Sequence, residues 1–318
     1  MGMKVLLVAG AVALFPNLAI GSSLPHEPAK ACTTSIASVV AAHTRNWSRV
    51  FLASISQDSR GVHIGNVTPI TRRPGYNNQP AFSKDGSGIY YSWRPDNSEA
   101  DIWYHEIKTG KEWPVTCTPQ DEYSPALIPK RDDISVLSLE EAGKRRLWKI
   151  PLHGGQPSPL FPNLTSVAYY AWADAGTVIL NLTDPDKTPA MTLAIGKVSS
   201  GSIEEIGTVV GNGPARVPNS TAISYLERSE SQASRLMELD PASHEIKMFL
   251  LLPDNAETYA WLPNGSIIAA IRSQIILWSP RENAWKEVAD LSAQLPNGIS
   301  RLATGEKGNQ ILLVEPVK

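Results

Sequence analysis

The sequence has no excess of charge of either sign and almost no long apolar runs. Its 29 lysines and arginines nearly balance its 31 aspartates and glutamates. No basic surface is therefore expected to attract a phosphate backbone, and nucleic acid is excluded as an expected partner. After the first twenty residues, no apolar run approaches the roughly 20 residues that span a bilayer. Turn formers, in contrast, are plentiful: 25 prolines and 22 glycines are typical of an all-β chain.

Cysteine is also scarce, with only Cys32 and Cys117. In an oxidising compartment such a pair can form a disulfide. The alternative is two unrelated thiols, and the sequence leaves both open.

The N-terminus has the pattern of an export signal. Lys4 precedes an apolar run over residues 5–15, and the small residues Ala19 and Gly21 follow. This pattern predicts a signal peptide of residues 1–21 that is cleaved after Gly21, since the run is too short for a membrane anchor. The mature chain is then periplasmic or secreted, with no membrane span. It begins with a leader segment of residues 22–47, and one β-domain covers residues 48–318.

Short strand patterns separated by turn signals organise that domain. In the first unit, strands are predicted at residues 79–86, 89–93, 101–107 and 113–117, with an Asp-Gly turn after the first. The same order of four strands recurs about every 45 residues. The further units cover residues 124–161, 169–209, 213–251 and 259–289.

A sixth unit is divided between the two ends of the chain. Residues 299–303 and 310–314 supply two strands, and residues 49–55 and 67–71 supply the other two. A ring of sheets closed in this way leaves no unpaired edge between its ends. The prediction is a six-bladed β-propeller of four-stranded antiparallel blades, the last blade closed by N- and C-terminal strands. Open sandwiches are the alternative, but they do not explain the repeat.

One motif of this repeat resembles a known family. The segment Pro80-Ala-Phe-Ser-Lys-Asp-Gly86, followed by Asp101-Ile-Trp-Tyr, resembles the Pro-x-Phe-Ser-Pro-Asp-Gly and Asp-Ile-Tyr repeat of TolB-like, WD-repeat-like propellers. The resemblance covers residues 48–318. It departs at Lys84, where the family usually has proline, and in the fourth unit, which lacks the Asp-Gly turn. It implies the propeller fold but no particular activity, because propellers carry many unrelated functions.

No catalytic motif accompanies the repeat. The Gly-x-Ser-x-Gly elbow of serine hydrolases is missing, and the six histidines share no ligand spacing. We therefore expect no catalytic residue, no metal ligand and no cofactor. The alternative is a metal-dependent hydrolase of the lactonase or esterase type, with oxygen ligands from Asn77, Asn78, Asp121, Glu122 and Glu257 at the channel mouth.

The loops that lead into the first strand of each blade meet at one mouth of the channel, and they are rich in tyrosine. Tyrosine combined with amide, carboxylate and arginine groups suits protein or peptide recognition, although turn chemistry alone also favours Asn and Asp. The expected function is an exported, non-catalytic scaffold that binds a protein or peptide partner; a purely structural envelope subunit is a further alternative. The predicted binding residues are Tyr76, Asn77, Asn78, Glu122, Tyr123, Tyr169, Tyr259 and Arg301.

Overall fold

The structure, a computed structural model, is an all-β ring of six four-stranded antiparallel sheets. It describes residues 47–58, 61–96, 98–184, 186, 190–228 and 233–317. The predicted signal peptide and nearly all of the predicted leader segment lie outside these residues. Among the described residues, no helix is long and apolar enough to cross a membrane.

Five blades are continuous in sequence, and their strands follow one another from the channel outward. The first blade contains β3 (Tyr76–Phe82), β4 (Gly88–Arg94), β5 (Asp101–Glu106) and β6 (Glu112–Pro114). The second contains β7 (Asp121–Leu127), β8 (Asp133–Leu139), β9 (Arg145–Pro151) and β10 (Ser158–Pro159), with a short 3-10 helix at Glu141–Gly143.

The next three blades repeat this plan. The third contains β11 (Val167–Trp172), β12 (Thr177–Thr183), β13 (Met191–Lys197) and β14 (Ser202–Val209). The fourth contains β15 (Gly211–Arg216), β16 (Ile223–Arg228), β17 (Ser234–Leu239) and β18 (Ile246–Leu251). The fifth contains β19 (Thr258–Trp261), β20 (Ile267–Ile271), β21 (Gln274–Ser279) and β22 (Ala284–Asp290).

The sixth blade joins the two ends of the described chain, which confirms the predicted closure. Its order is β2 (Gly61–Pro69), β1 (Ser48–Asp58), β24 (Gln310–Pro316) and β23 (Arg301–Thr304). Strands β1 and β24 pair antiparallel from Ser48 opposite Pro316 to Ser54 opposite Gln310. The fully buried Glu315 accepts a 2.8 Å hydrogen bond from Nη2 of Arg49 across this ladder. The ring is thus closed by a complete strand pair and a charged hydrogen bond.

Turn residues set the hairpins at the bottom of the blades, opposite the mouth. In the first blade Gly86 adopts φ +74° between β3 and β4, a conformation that glycine takes without strain. The fourth blade has no Asp-Gly turn; Asn219 adopts φ +58° there, which asparagine tolerates better than most residues. The fourth repeat, which lacks the Asp-Gly motif, therefore forms its hairpin with an asparagine at the positive φ angle instead of a glycine.

The hydrophobic core lies between blades rather than within them. The described residues form six buried clusters, each shared by two neighbouring blades. The cluster between blades 6 and 1, for example, packs Val50 and Leu312 against Phe82 and Ile89. Apolar burial thus holds each blade to its neighbours, and we call these contacts the seams.

Candidate functional site

A cavity of about 670 Å³ opens at the mouth where blades 1 to 4 meet. In each blade the connection from the fourth strand to the next first strand lies on the same face as the connection between strands two and three. Residues at the mouth ends of the innermost strands line the cavity, including Tyr76 of β3, Tyr123 of β7 and Tyr169 of β11. The structure thus brings together three of the predicted binding residues. We call this space the mouth cavity.

The three tyrosines are half-buried and come from three consecutive blades. The rings of Tyr76 and Tyr123 meet edge to face, with centroids 6.0 Å apart and an interplanar angle of 87°. Arg94 donates from Nη1 to the Tyr123 hydroxyl at 3.1 Å, and its guanidinium lies 5.6 Å from the centroid of the Tyr76 ring. Two of the aromatic side chains are therefore fixed in place before any ligand arrives.

Bulges near the start of the innermost strands set the direction of these side chains. Gln79 and Ser124 adopt φ +52° and +53°, and each directly precedes a proline. The β3–β4 register shifts between Asn78 and Ala81, and the β7–β8 register shifts between Tyr123 and Ala126. A bulge of this kind redirects the residues beside it. Oε1 of Gln79 accepts from the Ser124 backbone N at 2.9 Å, which joins the two bulges.

Three arginines that are not among the predicted binding residues line this cavity. Arg94, Arg145 and Arg228 lie at the end of β4, the start of β9 and the end of β16. Each stands at a strand boundary on the mouth face. The signal was thus present, because a charged residue that ends a second strand or begins a third strand projects toward the mouth.

Burial partly shields the hydroxyls of Tyr76 and Tyr123 from water. Burial raises the pKa of Tyr76, although the nearby Arg301 and Arg94 oppose the shift. Burial also raises the pKa of Tyr123 to about 12, again opposed by Arg94. Both phenols therefore stay neutral and can donate hydrogen bonds at physiological pH.

Two predicted residues lie beside the cavity and bind each other. Asn78 accepts a hydrogen bond at Oδ1 from Nε of Arg301 at 3.2 Å, which links the first strand of blade 1 to that of blade 6. The influence of Arg301 on the Tyr76 pKa shows that its charge reaches the mouth. Asn78 and Arg301 form a rim next to the tyrosines.

Asn77 has a different role from the one predicted. Its side chain is fully buried, and Nδ2 lies 3.0 Å from the carbonyl oxygen of Ser48 and 2.9 Å from that of Arg73. Its own carbonyl accepts from Ser48 Oγ at 2.8 Å. Asn77 therefore ties the start of β1 to β3 and is not available to a ligand.

Glu122 also lies away from the mouth cavity. It is 3% exposed and lines a second cavity of about 620 Å³ between blades 1 and 2. Thr118 donates to one of its carboxylate oxygens. Burial raises the pKa of Glu122 to about 7 and that of its neighbour Asp101 to about 6. This carboxyl pair thus holds protons at mildly acidic pH.

Tyr259 is the third predicted residue that the structure places elsewhere. Its hydroxyl is buried 2.9 Å from the Gly213 carbonyl and 2.8 Å from Ser224 Oγ, in the seam between blades 4 and 5. By position it corresponds to Tyr170, whose hydroxyl lies 2.6 Å from the Ser124 carbonyl of the preceding blade. Tyr259 therefore lies one strand position away from the equivalent of Tyr169, and one residue along a strand reverses the face of the side chain.

The oxygen-bearing residues of the predicted hydrolase alternative have separate surroundings. Asn77 and Glu122 are buried, and one side-chain oxygen of each has no hydrogen-bond partner among the described residues. Asn78 binds Arg301, Asp121 accepts from the Ala100 backbone N at 2.7 Å, and Glu257 is exposed. Across the described ranges, no group of three or more His, Cys, Asp or Glu side chains is placed to hold a metal ion. Cys117 is disulfide-bonded, while Cys32 lies outside the described residues.

The fold is similar to that of solved six-bladed propellers. A provisionally assigned TolB from Agrobacterium tumefaciens matches with a TM-score of 0.64 and 14% identity over 86% of this chain and 99% of that one. TolB from Acinetobacter baumannii matches with a TM-score of 0.54 and 12% identity, and the match covers 83% of this chain but only 63% of that one. An oligogalacturonate lyase in complex with manganese matches with a TM-score of 0.56 and 13% identity. The match covers 81% of this chain and 82% of that one.

At these identities the likeness shows the fold alone, and the resemblance to TolB-like propellers is confirmed at that level. No protein-family model and no curated protein matches the sequence. Since the similar structures include both TolB proteins and an enzyme, function has to be argued from the site.

Proposed function

We propose that this protein is an exported, non-catalytic scaffold whose mouth cavity binds an exposed segment of a protein or peptide partner. The observation that carries this proposal is the convergence of Tyr76, Tyr123 and Tyr169, half-buried, on one cavity of about 670 Å³. Tyrosine offers a large apolar face with a polar tip and has few rotatable bonds. It is therefore a frequent anchor of protein interfaces.

The arrangement is also rigid, which favours affinity. The contacts of Tyr76 with Tyr123 and of Arg94 with both rings hold the aromatic surface in one geometry. Less side-chain entropy is then lost when a partner binds. A cavity open to solvent, lined by residues of four blades, suits a loop or a chain end better than a flat protein face.

A photo-cross-linking experiment tests where the partner binds. A photoreactive amino acid replaces Tyr169 in the mature chain, and a control chain carries it at Lys111, in the β5–β6 connection on the opposite face. After irradiation in the native envelope or medium, we expect a discrete cross-linked protein only from position 169. Cross-links from position 111 alone would show that the binding face is the other one.

The export component is tested separately. The sequence motif of residues 1–21 supports cleavage after Gly21, so N-terminal sequencing of the mature protein should read Ser22 first. A mature chain that begins at Met1 or Met3 would remove this part of the proposal.

The non-catalytic component is tested by metal analysis of the purified native protein. In the part of the chain that the structure describes, no three His, Cys, Asp or Glu side chains are grouped to hold a cation, which supports a site without a resident divalent ion. A stoichiometric calcium or manganese content that is lost when Asp121 is replaced by Asn would instead favour the metal-dependent hydrolase.

A further inference from the structure

The mouth cavity carries cationic groups without matching anions. Arg94, Arg145 and Arg228 line it, and Arg301 lies close enough to influence the Tyr76 phenol. Among the described residues, no carboxylate forms a salt bridge with any of these four arginines. Arg145 and Arg228 are also exposed. Their guanidinium groups are therefore available to an anionic ligand.

The carboxylates near this rim are occupied by other partners. Asp121 accepts from the Ala100 backbone N, and Glu227, next to Arg228, binds Arg235 at 2.8 Å. Asp184, next to Thr183 of the cavity wall, is also engaged. The described lining of the cavity thus carries three arginines and no carboxylate, although the whole chain has a formal net charge of −2.

Apolar surface lies between the charges. Val210, which is 37% exposed, lines the same cavity together with Leu139 and Met191. An inorganic anion would use the arginines but leave this surface and the tyrosine faces in water. A peptide with acidic and apolar side chains uses both.

We propose that the occupant of the mouth cavity is an acidic peptide segment, in which two or more carboxylates flank an apolar or aromatic side chain. This inference rests on the proposed function, because it names the chemistry of the partner for the same site. The guanidinium group offers a planar fork that matches a carboxylate with two hydrogen bonds. The tyrosines and Val210 would take the apolar side chain between the carboxylates.

The test is selection from a library of displayed random peptides about twelve residues long, enough for an extended chain to cross the cavity. Three chains are used as bait: the native chain, Arg145→Gln/Arg228→Gln, and the control Lys111→Gln/Arg131→Gln. The control removes the same charge from the β5–β6 and β7–β8 connections on the opposite face. Among the described residues, the hydrogen bond and the cation–π contact that an arginine makes with a mouth tyrosine both come from Arg94, which all three chains keep. Thermal melts check that each chain is folded.

We expect the native and control chains to enrich Asp and Glu at two or more positions around an apolar residue. Selected peptides should bind the Arg145→Gln/Arg228→Gln chain about tenfold more weakly. Their affinity for the native chain should fall on the order of tenfold as salt screens the charges. A Tyr123→Ala/Tyr169→Ala chain should bind none of the selected peptides well.

Other outcomes overturn the inference in distinguishable ways. One such outcome is that the selected peptides depend on the tyrosines but lack acidic residues. Another is that they bind the Arg145→Gln/Arg228→Gln chain as tightly as the native chain. Either result would refute an acidic occupant and leave the proposed function intact. Selection of no tyrosine-dependent peptide would refute both. In a parallel arm with oligogalacturonate, arginine-dependent binding without any selected peptide would show that the anion is a sugar acid.

Discussion

Tyr169 and Tyr170 are adjacent in β11, yet one lines the mouth cavity and the other packs in a seam between blades. Tyr170 is buried in the seam between blades 2 and 3, where its hydroxyl bonds to Ser124 and Ser135. Tyr169 is half-buried in the wall of the mouth cavity. The comparison shows that residue type alone does not indicate a binding site here. The strand face decides whether a tyrosine packs in a seam or lines the mouth cavity.

The largest expected effect comes from opening the seam that closes the ring. Deletion of residues 309–318 removes β24, which pairs with both β1 and β23. The remaining strands would expose unpaired edges and the apolar faces of two seams. We expect the truncated chain to aggregate or to lose its cooperative thermal transition in calorimetry. A melting temperature equal to that of the full mature chain would contradict closure by both ends.

Single seam tyrosines should have the next largest effect. Tyr259 packs in the seam with its hydroxyl bonded to Gly213 and Ser224, and Trp261 Nε1 donates to the same serine hydroxyl at 2.8 Å. Tyr259→Ala should reduce the free energy of unfolding by about 3–5 kcal/mol, as for other large aromatic truncations. Tyr259→Phe should cost about 1–3 kcal/mol, because it leaves buried polar groups without a partner.

Denaturant unfolding of these two variants checks the seam role, and Tyr170→Phe is the matched variant in the other seam. Losses below about half a kcal/mol, the range of ordinary surface substitutions, would mean that the seam tyrosines do not stabilise the ring.

A smaller effect, dependent on pH, is expected from Glu122. Burial raises its pKa to about 7 in the folded state from an ordinary value of 4.5, so between these pH values the folded chain holds a proton that the unfolded chain has lost. The stability from this protonation is present below about pH 4.5 and is lost as the pH rises through about 7. Relative to the native chain, Glu122→Gln should therefore gain about 2 kcal/mol between pH 5 and pH 8.

Unfolding by urea at the two pH values measures this difference. The control is Glu141→Gln, an exposed residue of the same cavity wall. A Glu122→Gln chain whose stability keeps the same offset from the native chain at both pH values would show that Glu122 is not protonated in the fold.

Much of the fold could be predicted from the sequence, because the repeat of strands and turns is local and periodic. The closing blade was also predictable, since residues 49–55 and 310–314 were the strands needed to complete a sixth sheet. The site was less predictable. Tyr76, Tyr123 and Tyr169 reach one cavity as expected, but Asn77 and Glu122 are buried in contacts between blades. Those contacts depend on neighbouring blades, which no pattern within a single repeat describes.

The three arginines of the mouth cavity were not predicted as binding residues, for a related reason. Strand boundaries are uncertain by a residue or two, and Arg94, Arg145 and Arg228 lie at such boundaries. Tyr259 was predicted at the mouth but lies in a seam. Its strand position matches that of Tyr170, one residue after the mouth residue Tyr169. Register, rather than composition, separates the tyrosines that line the mouth cavity from those that stabilise the ring.

The most direct test of the mouth as a binding site is the dissociation constant of the partner captured at position 169, measured for Tyr123→Ala/Tyr169→Ala. We predict that the constant rises about 30-fold, the equivalent of one hot spot worth about 2 kcal/mol, while the free energy of unfolding falls by less than the roughly 3–5 kcal/mol expected for Tyr259→Ala. The control Lys111→Ala/Arg131→Ala on the opposite face should leave both values unchanged. A mouth variant that binds as tightly as the native chain would contradict the account.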